Sequence, residues 1–378
     1  MLERTGRNIW ISCAASFLVL LFVLAALFAV LNRSQKTVEL EVFANDLLLT
    51  PEDGTLTIAS WNLGYGGLGA ESDFVSDGGE HLLPPSKATV RKNIAGITRT
   101  LRTFSTDVFI LQEVATGSFL TRGGDTLRAI NDALPGRDNA FSADFKIRFA
   151  PRHFRPRHGL YSSASVVNVK RELVRIPMEP DYIGGIFKRL YHIHVLRLPF
   201  ARGEWTIVNL HLSAFDDDAS VRMKQLRAVL EFAESEFSKG RFVVIGGDWN
   251  LELAQPGRPS TTRDEDLFWI HPFPWEELRE GWCVAADDQT PTVRTNERPY
   301  LRNENFTTVI DGFVISPNVE LIDVKTSDLD FQYTDHQPVR AEFRAKEVIG
   351  VDRNVSPRVC PQFLDFGNHT KAQRLTPN

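Results

Sequence analysis

The sequence predicts an α+β domain, with strands alternating with helices, behind a single N-terminal transmembrane helix. Three observations predict it. Residues 9–31 run 23 positions without a charge, reading IWISCAASFLVLLFVLAALFAVL. Several short apolar, β-branched runs follow, each ending in a polar or ionisable residue, as buried strands do. Between them lie longer segments with apolar residues at helical spacing.

Composition narrows the class. The chain has 378 residues, enough for a large core and one or two domains. Lys plus Arg number 43 against 48 Asp plus Glu, a formal net charge of −5, so no basic nucleic-acid-binding domain is indicated. The 26 Phe and seven Trp supply much apolar area for a core, with some available for a membrane surface. The three cysteines, Cys13, Cys283 and Cys360, show no CxxC or CxxxH spacing, which argues against a thiolate zinc site. Cys283 and Cys360 can pair only if the domain is exported.

The N-terminal run makes a helix of about 35 Å, enough to cross a bilayer. Arg4 and Arg7 precede it; Arg33 and Lys36 follow. The run is long for a signal-peptide core and no small-x-small site closes it, so an uncleaved signal anchor is preferred to a cleaved signal peptide. The predicted order is a cytoplasmic stub (1–8), the anchor (9–31), a linker with a short first strand (32–53), a globular domain (54–346) and a C-terminal tail (347–378). The anchored domain is expected to be extracytoplasmic and a monomer.

Within the domain, LTIASW (56–61) alternates as a strand and delivers Asn62. A glycine-rich segment with Asp73 and Asp77 follows; it lacks the Gly-Lys-Ser/Thr of a P-loop. Ser86 is placed to cap a helix reaching about Phe104, with Val90, Ile94, Ile97 and Leu101 on one face. DVFIL (107–111) is a buried strand leading to Gln112 and Glu113, and a second helix is expected over 118–134. Residues 141–169 read as two strands about a basic loop that includes Arg157, suited to an anionic substrate. Paired strands follow at 191–198 and 205–212, the second delivering His211. Asp216 to Asp218 lead into a helix over 219–239 that Gly240 stops. VVIGGDWNL (243–251) drives an apolar strand into two glycines and presents Asp248 and Asn250, two apart and so on one side of an extended chain. Residues 254–305 form a long irregular insert rich in Pro, Arg and Trp. TVIDGFVIS (308–316) is a strand containing Asp311; Asp335 and His336 precede Pro338 and a last strand. Asn305, Asn354 and Asn368 lie in glycosylation sequons.

Each strand-end residue alone has a bland explanation as a turn or a hydrogen-bonded structural group. Together they do not. The pieces IASWNLG, DVFILQEV, VNLHLSAF, VVIGGDWN, TVIDGF and YTDHQPV, in this order, resemble the endonuclease/exonuclease/phosphatase superfamily across roughly residues 56–343. The resemblance implies a four-layer sandwich of two packed, mainly antiparallel β-sheets flanked by helices, with the site at one edge. It implies a divalent ion, Mg²⁺ or Mn²⁺, held by Glu113 with Asn62 and Asp335 near it; oxygen donors suit such hard ions. It implies His336 as general base, oriented by Asp311, with Asp248 orienting the attacking water. Asn250 would hold a phosphoryl oxygen, and His211 would stabilise the phosphate or protonate the leaving oxygen. Arg157 joins His211 and Asn250 as a substrate contact. Thr334 stands where the family usually has serine, keeping the hydroxyl. No carboxylate occurs near 157–161, where the pancreatic-type deoxyribonucleases pair their second histidine with glutamate.

The expected activity is therefore hydrolysis of phosphate esters by a metal-dependent, membrane-anchored phosphodiesterase acting on phospholipid or phosphorylated small molecules. A nuclease on DNA or RNA is the alternative, and a non-catalytic tethered binding module the third reading.

Overall fold

The computed structural model describes residues 10, 13–26, 41–43, 54–143, 156–162, 170–175, 181–183, 187–189, 191–200, 202–214, 218–346 and 360. Seventeen strands occur among these residues: β1 Glu41–Phe43, β2 Thr55–Asn62, β3 Val108–Ala115, β4 Asp138–Ala143, β5 Pro156–Ser162, β6 Lys170–Arg175, β7 Asp181–Ile183, β8 Phe187–Arg189, β9 His192–Phe200, β10 Gly203–His211, β11 Phe242–Asp248, β12 Cys283–Ala285, β13 Val293–Arg294, β14 Thr307–Thr308, β15 Asp311–Ile315, β16 Val319–Thr326 and β17 Val339–Ala345. Three helices join them: α1 Lys87–Thr103, α2 Thr126–Ala133 and α3 Ser220–Ser238. Of the predicted membrane span, the helical stretch 13–26 is described. Among the described residues no helix is long and apolar enough to cross a membrane.

The strands form two large sheets, in the orders β1-β4-β5-β3-β2-β17-β16 and β12-β15-β11-β10-β9-β6. Each sheet has one parallel pair, β2 with β3 and β10 with β11; the other pairings are antiparallel. Parallel neighbours need a crossover. Helix α1 supplies one and α3 the other, each on the outer face of its own sheet.

Side-chain alternation decides the layers. Leu56, Ile58, Val108, Ile110, Ile207 and Val244 point between the sheets and form the central core. On the opposite face Ala59, Trp61, Phe109 and Leu111 pack with Ile97 and Leu101 of α1 and with Leu127 and Ile130 of α2. Val208, Leu210, Val243 and Ile245 pack beneath Leu226, Val229 and Ala233 of α3. The result is the expected order helix, sheet, sheet, helix.

Local signals explain most element ends. Ser86 Oγ accepts from Thr89 N at 3.0 Å and starts α1. The helix expected over 118–134 is shorter: Ser118 and Thr121 bond each other's backbone N–H groups at 2.9 and 3.2 Å, closing a turn, and Asp125 caps α2 by accepting from Arg128 N. Strand β16 has no counterpart in the sequence expectations, although VELIDVKT alternates. The insert at 254–305 packs on itself and contributes edge strand β12; Trp269 and Trp282 are buried. Cys283 and Cys360 form a disulfide. Asn305 is buried and its amide donates to Thr295 O at 3.0 Å, which closes that sequon in the folded domain; Asn354 and Asn368 lie outside the described residues.

One buried ion cluster ties α3 to its sheet. Glu236 accepts from Arg197 Nε and Nη2 at 3.0 and 2.7 Å, and also from Lys239 and Arg241. Burial opposes ionisation of Glu236, but the hydrogen bonds and charges of Lys239, Arg197 and Arg241 outweigh it and bring the carboxyl down to about 2. A depressed carboxyl stabilises the fold fully above its unfolded value of 4.5, and that contribution is lost as the pH falls toward 2. Removing one member of a buried pair costs about 3–5 kcal/mol because its partner stays buried and charged. Glu236→Gln should therefore lower the urea midpoint clearly at pH 7. The gap from the parent should narrow as the pH is taken from 4.5 toward 2.

Candidate active site

Strands β2, β3, β10 and β11 end at the same edge of the sandwich. Eight of the nine predicted site residues meet there. Arg157 lies in β5, where its backbone pairs with Val114 and Ala143; its side chain is outside the described residues.

The centre is Asp248, at the end of β11 and 1 % exposed. Its Oδ2 accepts from Asn62 Nδ2 at 2.9 Å and lies 3.5 Å from His211 Nε2 and 3.7 Å from His336 Nε2. The two glycines before it are required by packing: Gly247 has φ 140°, and a Cβ there would fall 2.0 Å from Leu210 O on the neighbouring parallel strand. Asn250 does not continue an extended strand as expected. It takes φ 49°, and its N–H turns back to Asp248 Oδ1 at 2.9 Å. The tight turn satisfies Asp248 locally while Asn250 Nδ2 bonds Leu212 O at 2.9 Å, which leaves one amide N–H of that side chain for a ligand.

Glu113 owes its direction to a bulge. The pairing of β3 with β5 slips between Leu111 and Val114, and Glu113 sits there at φ 53°. Simple alternation would put Gln112 and Glu113 on opposite faces. The bulge re-aims Glu113 into the site, where its Oε1 is 3.9 Å from His211 Nε2. Gln112 stays in the core and donates to Asn209 Oδ1 at 2.7 Å.

Asp311 opens β15 and accepts from, or shares a proton with, His336 Nδ1 at 2.8 Å. Burial alone would lower the His336 pKa, but the carboxylates of Asp311 and Asp248 hold it well above the usual value. Burial, with the charge of Asp311 adding to it, pushes Asp248 up to about 6 against the pull of His336 and Asn62. Asp335 accepts from Thr334 Oγ1 at 3.1 Å and from Asn296 Nδ2 at 2.8 Å. Thr334 Oγ1 also contacts Asn62 O at 3.2 Å, so the hydroxyl at this position bridges β2 to the Asp335 loop. Gly64 completes that junction: it takes φ 49°, gives its N–H to Asn62 Oδ1 at 3.0 Å, and a Cβ on it would meet Asp335 Oδ1 at 2.8 Å.

Sequence reasoning missed part of the surround. Asn296 Nδ2 also donates to Asp77 Oδ2 at 2.8 Å, and burial with the nearby Asp335 charge pushes Asp77 up to about 7. The buried Arg294 donates to Leu68 O, Gly69 O and Ser72 O at 3.0–3.2 Å, clamping the glycine-rich segment over the site. Asp77 was visible in that segment, but no spacing in the insert marked Arg294 or Asn296.

Glu113, His211, Asp248, Asn250, Asp335 and His336 line a cavity of about 460 Å³, with Phe74, Leu83, Pro84, Leu120 and Trp269 also in its wall. Among the described residues, Asp248, Asp311 and His336 bring ligating atoms within 4.8 Å of one another, one candidate for a metal site. Their hydrogen bonds argue for a different use, since His336 Nδ1 already faces Asp311 and Asp248 is held by Asn62 and Asn250. Glu113 and Asp335 line the cavity and offer it hard oxygen donors. The surplus of buried carboxylate there, which holds Asp77 and Asp248 above the ordinary range, fits a bound cation.

No family model and no curated protein matches the sequence. Solved structures do. An endonuclease/exonuclease/phosphatase from Beutenbergia cavernae DSM 12333 aligns at 18 % identity and a TM-score of 0.51, covering 77 % of this chain and 72 % of that one. TDP2 from D. rerio, complexed with single strand DNA product, aligns at 16 % identity and a TM-score of 0.48, covering 78 % and 100 %. An endonuclease/exonuclease/phosphatase from Bacteroides vulgatus aligns at 14 % and 0.48, covering 77 % and 99 %. On the first of these likenesses, the chain has the fold of the endonuclease/exonuclease/phosphatase proteins.

Proposed function

We propose that this chain is a membrane-anchored, Mg²⁺-dependent hydrolase of phosphate esters, a phosphodiesterase acting on phospholipid or phosphorylated small molecules. The observation that carries the reading is the Asp311–His336 pair, 2.8 Å apart, whose free ring edge faces Asp248 across a cavity that also holds Glu113 and His211. Once Nε2 has lost its proton, with Nδ1–H given to Asp311, His336 takes a proton from an attacking water; the raised pKa makes this form the larger share as the pH rises. Asp248 Oδ2, near both His336 and His211, orients that water. His211 Nε2 protonates the leaving oxygen, and the second amide N–H of Asn250 holds a phosphoryl oxygen. Glu113, Asp335 and Asn62 would hold the divalent cation, whose positive charge offsets the charge that develops on the phosphate.

Residues 9–31 support the anchor by their length and lack of charge. The Cys283–Cys360 disulfide supports an extracytoplasmic domain, because such bonds persist in oxidising compartments.

The test is direct. Detergent-solubilised protein is offered bis-p-nitrophenyl phosphate, sphingomyelin micelles and supercoiled plasmid, with Mg²⁺ and then with EDTA. EDTA-sensitive release of phosphocholine is expected; plasmid nicking without lipid turnover would make the chain a tethered nuclease. His336→Ala should cost about 10²–10⁴-fold in kcat, and Glu113→Ala should abolish turnover with the circular dichroism spectrum intact. Unchanged turnover in both variants would sink the site assignment, and no turnover of any ester by the parent would leave a binding module.

The raised His336 pKa gives a separate check. A group raised in this way holds its proton at neutral pH, so the ring should titrate well above 6.5 in the metal-free protein. Asp311→Asn removes the largest raising charge and should move that titration downward, measured by NMR of the ring Cε1–H.

A further inference from the structure

The mouth of the cavity carries an unusual share of exposed apolar side chains. Among the described residues after 54, five large hydrophobic side chains are more than a third exposed: Val75 (48 %), Leu82 (59 %), Phe119 (65 %), Phe268 (37 %) and Leu301 (50 %). Four of them cluster at one place. Leu82 and Phe268 line the cavity, and Val75 and Phe119 each adjoin a residue that does. Three loops bring them together. Val75 N bonds His81 O at 2.9 Å, folding 74–84 on itself. Arg122 donates to Pro84 O, joining the loop of Phe119 to it. Gly78 packs against the Asp266 carboxylate, joining the turn that carries Phe268.

Chain topology turns this edge in a definite direction. Strand β4 runs parallel to β3, since both are antiparallel to β5. Strand β1 is antiparallel to β4 and pairs Glu41 with Phe141 and Phe43 with Asn139. Phe141, Gly159 and Leu111 share a level through β5, two residues before Glu113. The chain therefore enters β1 from the active-site edge and runs away from it. Nine residues, 32–40, separate Glu41 from the end of the apolar run at Leu31. Fully extended, they reach about 30 Å, so the anchor is tied by a short tether to the edge of the sandwich that carries the cavity.

We infer that the apolar rim formed by Val75, Leu82, Phe119 and Phe268 docks on a lipid bilayer surface, holding the mouth of the cavity against the membrane in which the chain is anchored. The inference rests on the anchored reading proposed above. A membrane is the occupant that the short tether brings to this edge, and a rim of apolar side chains around a cavity that holds Glu113, His211, Asp248 and His336 lets a headgroup enter while the apolar surface leaves water.

The test uses the full chain in phosphatidylcholine vesicles. With Cys13→Ser in the background, Phe119→Cys carries an environment-sensitive fluorophore, and Ser238→Cys, at the far end of α3, carries it as the control. Nitroxide-bearing phosphatidylcholine should quench the probe at 119 several-fold and leave the probe at 238 unchanged. Vesicle flotation after alkaline extraction reports the anchor separately. A chain that does not float overturns both the anchor and the docking. An embedded chain with no quenching at 119 overturns the docking alone and leaves the rim to a protein partner or a second copy. In the same vesicles, Val75→Asp with Phe119→Asp should lower turnover of bilayer lipid at least tenfold and leave bis-p-nitrophenyl phosphate hydrolysis unchanged, because neither side chain lines the cavity. Equal loss on both substrates would overturn it.

Discussion

Everything at the site depends on two parallel strand pairs that face each other and stop at the same edge. In each sheet the crossover helix lies outside, so the carboxyl ends of β2, β3, β10 and β11 are open to one another across the gap between the sheets. Lower in that gap the inward positions are Ile58, Ile110, Ile207 and Val244. One turn of the pleat higher they become Gln112 and Asn209, joined at 2.7 Å, with Asn209 Nδ2 also bonded to Leu111 O at 3.1 Å. These bonds satisfy the Asn209 amide and the NH₂ end of Gln112, which would otherwise be costly to bury. They close the apolar core and begin the polar one. Above them the inward positions are Asn62, His211 and Asp248.

The electrostatics follow from that placement. Asp248, Asp311 and Asp335 are all nearly inaccessible, and burying carboxylates without counter-charge is unfavourable. The chain supplies hydrogen bonds from Asn62, Asn250, Thr334 and Asn296 and the charges of His336 and Arg294. The supply falls short, as the upward displacement of Asp77 and Asp248 indicates. A cavity left with excess negative charge is at odds with its own burial. A cation resolves that conflict, which is why the oxygen donors facing the cavity matter as much as the histidines.

How much of this was legible in the sequence depends on the range of the cause. Ser86 and the apolar spacing of α1 act within a turn, and both were read correctly. The strand ends carrying Asn62, Glu113, His211 and Asp248 were marked by apolar runs that stop at a polar residue, again a local signal, whereas Asp311 and His336 stand before apolar strands rather than after them. The helix expected from 118 began eight residues late because Ser118 and Thr121 bond each other in a turn that propensity does not foresee. Asn250 was misdirected for the same kind of reason, a turn that overrides strand alternation. Glu113 was chosen rightly, but its aim depends on a bulge fixed by the partner strand β5. Arg294 and Asn296 were invisible because their meaning arises from segments more than 200 residues away in the chain, Leu68 to Asp77.

That division between near and far has a functional consequence. Most of the polar groups at the centre of the site come from strand ends, held by sheet registers. The walls come from elsewhere: the glycine-rich segment and the 74–84 loop on one side, the 116–124 turn and the 254–305 insert on the other. Arg294 and Asn296 fasten the insert to the glycine-rich segment, so these walls are not independent loops but one joined rim. The centre of the site is therefore fixed by strand pairing, whereas its walls are fixed by contacts between loops far apart in the chain. The rim is apolar on its outer lip and carboxylate-rich at Asp73 and Asp77 within.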